Sequence, residues 1–244
     1  MRFIEKLNYT ELSAEAKIIL STKDYNESGR IKEILRIIYH DCCVYCQSSS
    51  ESGSFGHIEH FYPKNPEKGF DGYRNVYENL HLSCQRCNTL KGENLPDGIY
   101  SPNLYLEKGV WVKSEPGKIN REMVYYGHLL FNTSHPIGST DRADNTIKLF
   151  DLNNRNNKMG RSSRRHLIEA RLRVFCTVRE ILEAVYNLLS AYHPTIDKAV
   201  QSLLTLAIKF TEKSSPYSGM VLDNFGSDLL NLYETHLLAK SRYR

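Results

Sequence analysis

Two cysteine pairs, Cys43-Val44-Tyr45-Cys46 and Cys84-Gln85-Arg86-Cys87, bracket residues 47–83. Each C-x2-C can close a tight turn with both thiolates on one metal ion, and four thiolates in tetrahedral array suit Zn2+. Such a site is closed, with no coordination position left for chemistry, so its role is structural. A [4Fe–4S] cluster uses the same ligands, and four ordinary buried thiols are the plain alternative. Cys42 adjoins Cys43 but is out of step with Cys46, and Cys176 has no cysteine near it in sequence. Both are left out of the ligand set.

Between and beside the pairs lies a second polar set: Glu59-His60, then Lys64, and Asn88 with Lys91 just past the second pair. Hydrolysis of a phosphodiester needs a base to activate water and a divalent cation to neutralise charge on the leaving oxygen. Imidazole is a natural base near neutral pH. A hard cation such as Mg2+ or Mn2+ takes oxygen ligands, which Glu59 and Asn88 can supply. The expected roles are His60 as base and Glu59 with Asn88 as the catalytic-cation ligands. Lys64 and Lys91, beside them, are expected to meet phosphate. His57 is a lesser candidate for a direct role, and His81 reads as a solvent-facing strand residue.

These residues need a frame. Residues 42–95 show no regular apolar period, and Ser48–Gly56 is a loop by composition. A stretch so poor in apolar residues cannot build its own core, and a metal is the obvious staple. Helices flank it. Residues 11–41 read as two, the second with Ile31, Ile34, Leu35 and Ile38 on one face. Leu80–Leu82, VWV at 110–112 and MVYY at 123–126 read as short strands. Residues 161–190 carry a long stripe that includes Leu167, Val178, Leu182 and Val185. A further helix spans 195–210. Residues 217–240 read as one or two helices, broken near Gly226. The organisation expected is a helical segment 1–41, a metal-stapled centre 42–95, and a mixed connector leading to helices over 96–244.

With its order of C-x2-C, Glu59-His60-x-x-Pro63, Asn79-Leu80 and C-x2-C-Asn88-x-x-Lys91-Gly92, the chain resembles the HNH endonucleases. The resemblance implies an α+β protein with a zinc-stapled ββα-metal core, flanked by a mainly α-helical N-terminal segment and a C-terminal helical region. It makes His60 the general base, Asn79 the residue that fixes it, and Glu59 and Asn88 the catalytic metal ligands. Glu59 stands where many members carry Asp, and Asn88 where many carry His. The phrases HIEHFYPK and ENLHLSCQRCNTLKG, with the later Asp144-Asn145-Thr146-Ile147 and Leu152-Asn153, are similar to the HNH subunit of Septu and retron-linked antiphage systems. That likeness implies an ABC-type ATPase partner and, in some systems, a retron reverse transcriptase–nucleic acid complex. The implied substrate is nucleic acid, DNA before tRNA or other RNA.

Residues 155–173 hold seven cations, Arg161, Arg164 and Arg165 among them, against the single carboxylate of Glu169. Such a cluster can neutralise phosphates; a solvated helix face is the bland alternative. The formal net charge of +4 is too mild to decide between them. Hydrophobic residues at 41% and charged residues at 25% exclude a disordered tail or a fibrous rod. No run of eighteen apolar residues occurs, so no membrane partner is expected. Arg2, Glu5 and Lys6 interrupt the stretch where an export signal would be apolar, which makes a cytoplasmic protein with reduced thiols the expectation. A second reading, a non-catalytic zinc module that binds nucleic acid or adapts the ATPase, needs the cysteines but neither Glu59 nor Asn88.

Overall fold

The computed structural model describes residues 5–49, 56–93, 98–114, 116–133, 142–153, 164–191 and 196–238. Helices α1 (Thr10–Thr22) and α2 (Gly29–Ile38) open the chain. The apolar face of α2 is fully used: Ile31, Ile34, Leu35 and Ile38 are all buried. Each such side chain contributes about 2 kcal/mol when removed from water. That face packs on a two-stranded antiparallel sheet of β1 (His57–His60) and β2 (Leu80–Ser83). The register pairs Glu59 with His81 and His60 with Leu80. Helix α3 (Gln85–Lys91) follows β2 directly and packs back on β1. Cys84 caps it, its sulfur accepting from the Cys87 backbone N–H at 3.4 Å.

Two hairpins follow. The first joins β3 (Leu104–Glu107) to β4 (Val110–Lys113) through Lys108 and Gly109, both at positive φ. That is the backbone a two-residue turn requires to match strand twist. After α4 (Pro116–Glu122), β5 (Met123–Tyr126) pairs with β6 (Leu129–Asn132). Helix α5 (Arg142–Leu149) leads to Phe150, whose ring stacks on Tyr45 of the cysteine turn at 4.0 Å. Asn153 clasps β6, accepting from Leu130 N–H at 2.9 Å and donating to its carbonyl at 2.6 Å.

Helices α6 (Arg165–Ser190), α7 (Ile196–Lys209) and α8 (Ser218–Tyr233) pack on one another. Helix α8 also lies on β5, where Asp223 and Asn224 accept backbone N–H bonds from Tyr125 and Gly127. The break expected near Gly226 does not occur. A helical glycine costs about 1 kcal/mol. The buried stripe of Met220, Val221, Phe225, Leu229 and Leu232 continues across it and outweighs that cost. No helix among the described residues is long and apolar enough to cross a membrane.

Candidate active site

Cys43 and Cys46 sit in the turn after α2, and Cys84 and Cys87 at the start of α3. Their four sulfurs lie within 4.8 Å of one another, all buried. The turn is tied to the sheet by Val44 N–H on the Leu82 carbonyl at 3.0 Å, and is closed by Cys43 N–H on Ser48 O and Gln47 N–H on Cys43 O. A tetrahedral ion with bonds of about 2.3 Å to sulfur has sulfur–sulfur edges of about 3.8 Å. Cys46 Sγ and Cys84 Sγ stand 3.8 Å apart, so the cluster fits such an ion. Cys42 points elsewhere, toward the Ser214 carbonyl.

The sequence carried no sign of what completes this cluster. Arg164, immediately before α6, turns inward and donates to Cys87 Sγ at 2.8 Å. Four thiolates around a divalent ion would carry net negative charge, which this buried guanidinium would offset. The expectation that Arg164 faces nucleic acid is therefore corrected. Arg171 is buried as well, donating to the Leu152 carbonyl at 2.6 Å beside the Tyr125 ring. Positions 164, 167, 171 and 178 share one helical face with the apolar stripe, which draws two of the seven cations inside. Arg165 stays on the surface, paired with Glu169 at 2.6 Å. Arg161 lies outside the described residues.

Beside the cluster is a cleft of about 420 Å³, lined by Glu59, His60, Asn88, Lys64, Arg74 and Glu93 among others. The three residues expected to do chemistry thus share one cavity. Strand β1 brings Glu59 and His60 to it, and the first turns of α3 bring Asn88. Lys64, exposed, stands at its mouth.

His60 is 8% exposed. Its Nε2 lies 2.9 Å from the Arg74 carbonyl. A carbonyl only accepts, so Nε2 carries the hydrogen and Nδ1 keeps the lone pair. The Tyr25 ring, from the α1–α2 loop, meets the imidazole edge-on at 4.6 Å. Burial lowers the His60 pKa to about 4; the Arg74 carbonyl opposes this, and the charges of Lys64, Arg74 and Lys91 add to it. The ring is neutral at physiological pH. Neither Tyr25 nor Arg74 belongs to any motif; only folding brings them here.

Glu59 is 1% exposed and lies between two partners. The Tyr45 hydroxyl donates to Oε2 at 2.7 Å, and Lys91 Nζ stands 3.6 Å from Oε1. Oε1 is buried and accepts no hydrogen bond. Burial raises the Glu59 pKa, with Lys91 and then Tyr45 pulling against it. Lys91 is equally buried and also donates to the His60 carbonyl at 3.3 Å. This corrects the expected phosphate contact: α3 turns Lys91 under the site, where it balances Glu59. The Asn88 side chain is half-buried, and no hydrogen bond holds it among the described residues. A buried carboxylate oxygen without a hydrogen bond and an unengaged carboxamide fit a hard cation.

Asn79 is fully buried and does not line the cleft. Its Oδ1 accepts from Tyr62 N–H at 2.7 Å, and its Nδ2 donates to the Tyr62 and Tyr73 carbonyls, each at 3.0 Å. It joins the segment leaving His60 to the segment carrying Arg74, whose carbonyl meets the imidazole. His81, expected at the surface, is fully buried with Nδ1 2.7 Å from the Tyr39 hydroxyl. Helix α2 covers the face of β2 that an isolated hairpin would expose.

A cysteine-clasped pair of strands and a helix, with a Glu-His step opening on a cleft, is the layout of an HNH endonuclease domain. Residues 43–94 match the HNH endonuclease family, and the chain carries that domain. Over 107 residues it is 33% identical to Septu protein PtuB of Bacillus mycoides (strain KBAB4), a match covering 37% of this chain. The chain spans about a third of the length of that relative, 36%. No solved structure matches the chain.

Proposed function

We propose that the protein is a divalent-cation-dependent endonuclease that hydrolyses phosphodiester bonds, DNA before RNA or tRNA, as the effector of an antiphage defence complex. The observation that carries this reading is the common cleft of Glu59, His60 and Asn88. A phosphodiester enters past Lys64. His60 Nδ1 takes a proton from water, that water's oxygen attacks phosphorus as the P–O bond to the leaving oxygen breaks, and the leaving oxygen takes a proton from solvent. The Arg74 carbonyl takes the Nε2 hydrogen and leaves the Nδ1 lone pair for this role, and Asn79 holds the segment that carries this carbonyl. Glu59 Oε1 and the Asn88 carboxamide would hold Mg2+ or Mn2+, which supplies charge neutralisation at the leaving oxygen. The four cysteines would hold Zn2+, which would tie the turn after α2 to the start of α3, the helix that carries Asn88. The likeness to Septu protein PtuB supports a place in a defence system; an ABC-type ATPase as partner is what the sequence resemblance implies.

The test is cleavage of plasmid, RNA and tRNA with Mg2+ and the partner supplied, followed by sequencing of the ends. His60→Ala should lose rate by a factor on the order of 10²–10⁴. Glu59→Gln should lose activity and its dependence on cation concentration. Equal cleavage by wild type and His60→Ala rejects His60 as the base. Full antiphage protection by both variants would leave a cysteine-clasped adaptor.

A further inference from the structure

We infer that a second pocket, next to the cleft and built mostly from residues outside the HNH domain, receives an unpaired nucleotide of the nucleic-acid strand. The inference rests on the nuclease reading above and assigns it a substrate class. The pocket has a volume of about 130 Å³, and its walls include Phe61, Tyr62, Tyr100, Tyr105, Lys118 and Arg142. Every charged side chain on its lining is a cation, and no carboxylate lines it. Lys118 and Arg142 are exposed and hold no ion pair among the described residues. The carboxylate bound to a wall residue, Glu122, accepts from the Tyr100 hydroxyl and pairs with neither cation; aromatic walls with two cations free of ion pairs among the described residues fit a ligand that is planar, aromatic and anionic. A nucleoside phosphate has that chemistry: the base meets a ring, and the phosphate meets the cations.

The placement ties the pocket to the cleft. Along the chain, His60 and Pro63 line the cleft, while Phe61 and Tyr62 between them line the pocket. The segment 60–63 thus lines both cavities. A strand laid across it sets a phosphodiester against His60 and a neighbouring base against Tyr62 and Tyr105. The Tyr62 ring is already held, its hydroxyl accepting from Leu106 N–H at 2.8 Å and its edge meeting Trp111 at 5.7 Å. A wall fixed before binding loses little freedom on binding. A base inside a duplex is stacked on its neighbours and cannot enter, so the pocket selects single strands, loops or extruded bases. The HNH domain reads the phosphodiester; β3, α4 and α5 read whether its nucleotide is unpaired.

Trp111 is the only tryptophan in the chain and touches Tyr62, so its fluorescence reports on the pocket. The full-length chain carrying His60→Ala is titrated with a ten-nucleotide DNA strand, the same RNA strand, their duplexes, and a mononucleotide. The expected result is quenching by single strands at concentrations where duplex gives none. Tyr105→Leu, which keeps apolar volume but removes the ring, should weaken binding roughly 5- to 150-fold. Lys118→Ala with Arg142→Ala should lower the salt slope of log K by about 1.4. Both cations are exposed, so circular dichroism of the double variant should match the parent. A mononucleotide that binds with the same sensitivity assigns the pocket to a free nucleotide; binding by the strand alone assigns it to substrate. Unchanged affinity and salt slope in the double variant and in Tyr105→Leu overturn the proposal. Cleavage that persists in His60→Ala defeats the catalytic reading separately, without touching this binding result.

Discussion

Replacing Asn79 by Ala is the sharpest probe of how the site is held. The carboxamide makes three hydrogen bonds to backbone, to Tyr62 N–H at 2.7 Å and to the carbonyls of Tyr62 and Tyr73 at 3.0 Å. Each contributes about 1 kcal/mol net, and a buried group left without its partner costs about 1–3 kcal/mol. Tyr62 is buried at both groups, whereas the Tyr73 carbonyl is only partly so and can turn to water. The expected loss is therefore about 3–4 kcal/mol, a large share of the 5–15 kcal/mol typical of a domain. Urea unfolding measures it. The functional consequence is separable. Residues 73 and 74 lose their tie to residue 62, and the Arg74 carbonyl no longer holds the His60 ring. The variant, assayed where it is still folded, should lose kcat more than it raises KM. Asn79→Asp should not rescue, because a carboxylate repels the two carbonyls that the amide satisfied. A loss under 1 kcal/mol, or full activity in a variant shown to be folded, would refute the backbone-staple account.

Lys91→Met leaves Glu59 buried without its counter-charge. The carboxyl then escapes by taking a proton, which at pH 7 from an ordinary 4.5 costs about 3 kcal/mol. The penalty in urea unfolding should shrink as pH falls toward 5, and Glu59→Gln with Lys91→Met should recover most of it; a loss independent of pH would contradict the ion pair. For His60 the folded pKa of about 4 lies below the ordinary 6.5, so the unfolded chain binds more protons between those values. That stability is present above pH 6.5 and is lost as pH falls toward 4. His60→Gln should remove about 2 kcal/mol of the difference between pH 7 and pH 5, and identical pH slopes would count against a buried neutral imidazole. Metal analysis should find one zinc per chain, and Cys87→Ala or chelation should unfold β1, β2 and α3, seen as loss of amide-exchange protection. Arg164→Leu should weaken the metal site 10- to 100-fold while leaving the four sulfurs in place, as read by zinc release to a chromogenic chelator.

The legible parts of this protein are those where chemistry and spacing coincide in a short stretch. Two C-x2-C pairs announce one cluster because each pair is a local turn, and the Glu59-His60 step announces a site because adjacent residues at a strand end reach one cavity. Helices α2, α6 and α7 show in the period of their apolar residues. Strands β4 and β5 show as VWV and MVYY; their hairpin partners, β3 and β6, are short and carry no period, so they emerge only from pairing.

Charge was the least legible property. A row of arginines reads as a solvated surface, yet Arg164 and Arg171 share a helical face with Leu167 and Val178 and go where that face goes. Lys91 reads as a phosphate contact, yet α3 turns it under β1 to meet Glu59. His81 reads as exposed until α2 covers its strand. Residue order determines which groups exist and which can share a local turn. Which of them face solvent, which are paired inside, and which distant loops, such as those of Tyr25 and Arg74, close on His60 is settled only when the elements pack, because burial and charge pairing depend on neighbours that are remote along the chain.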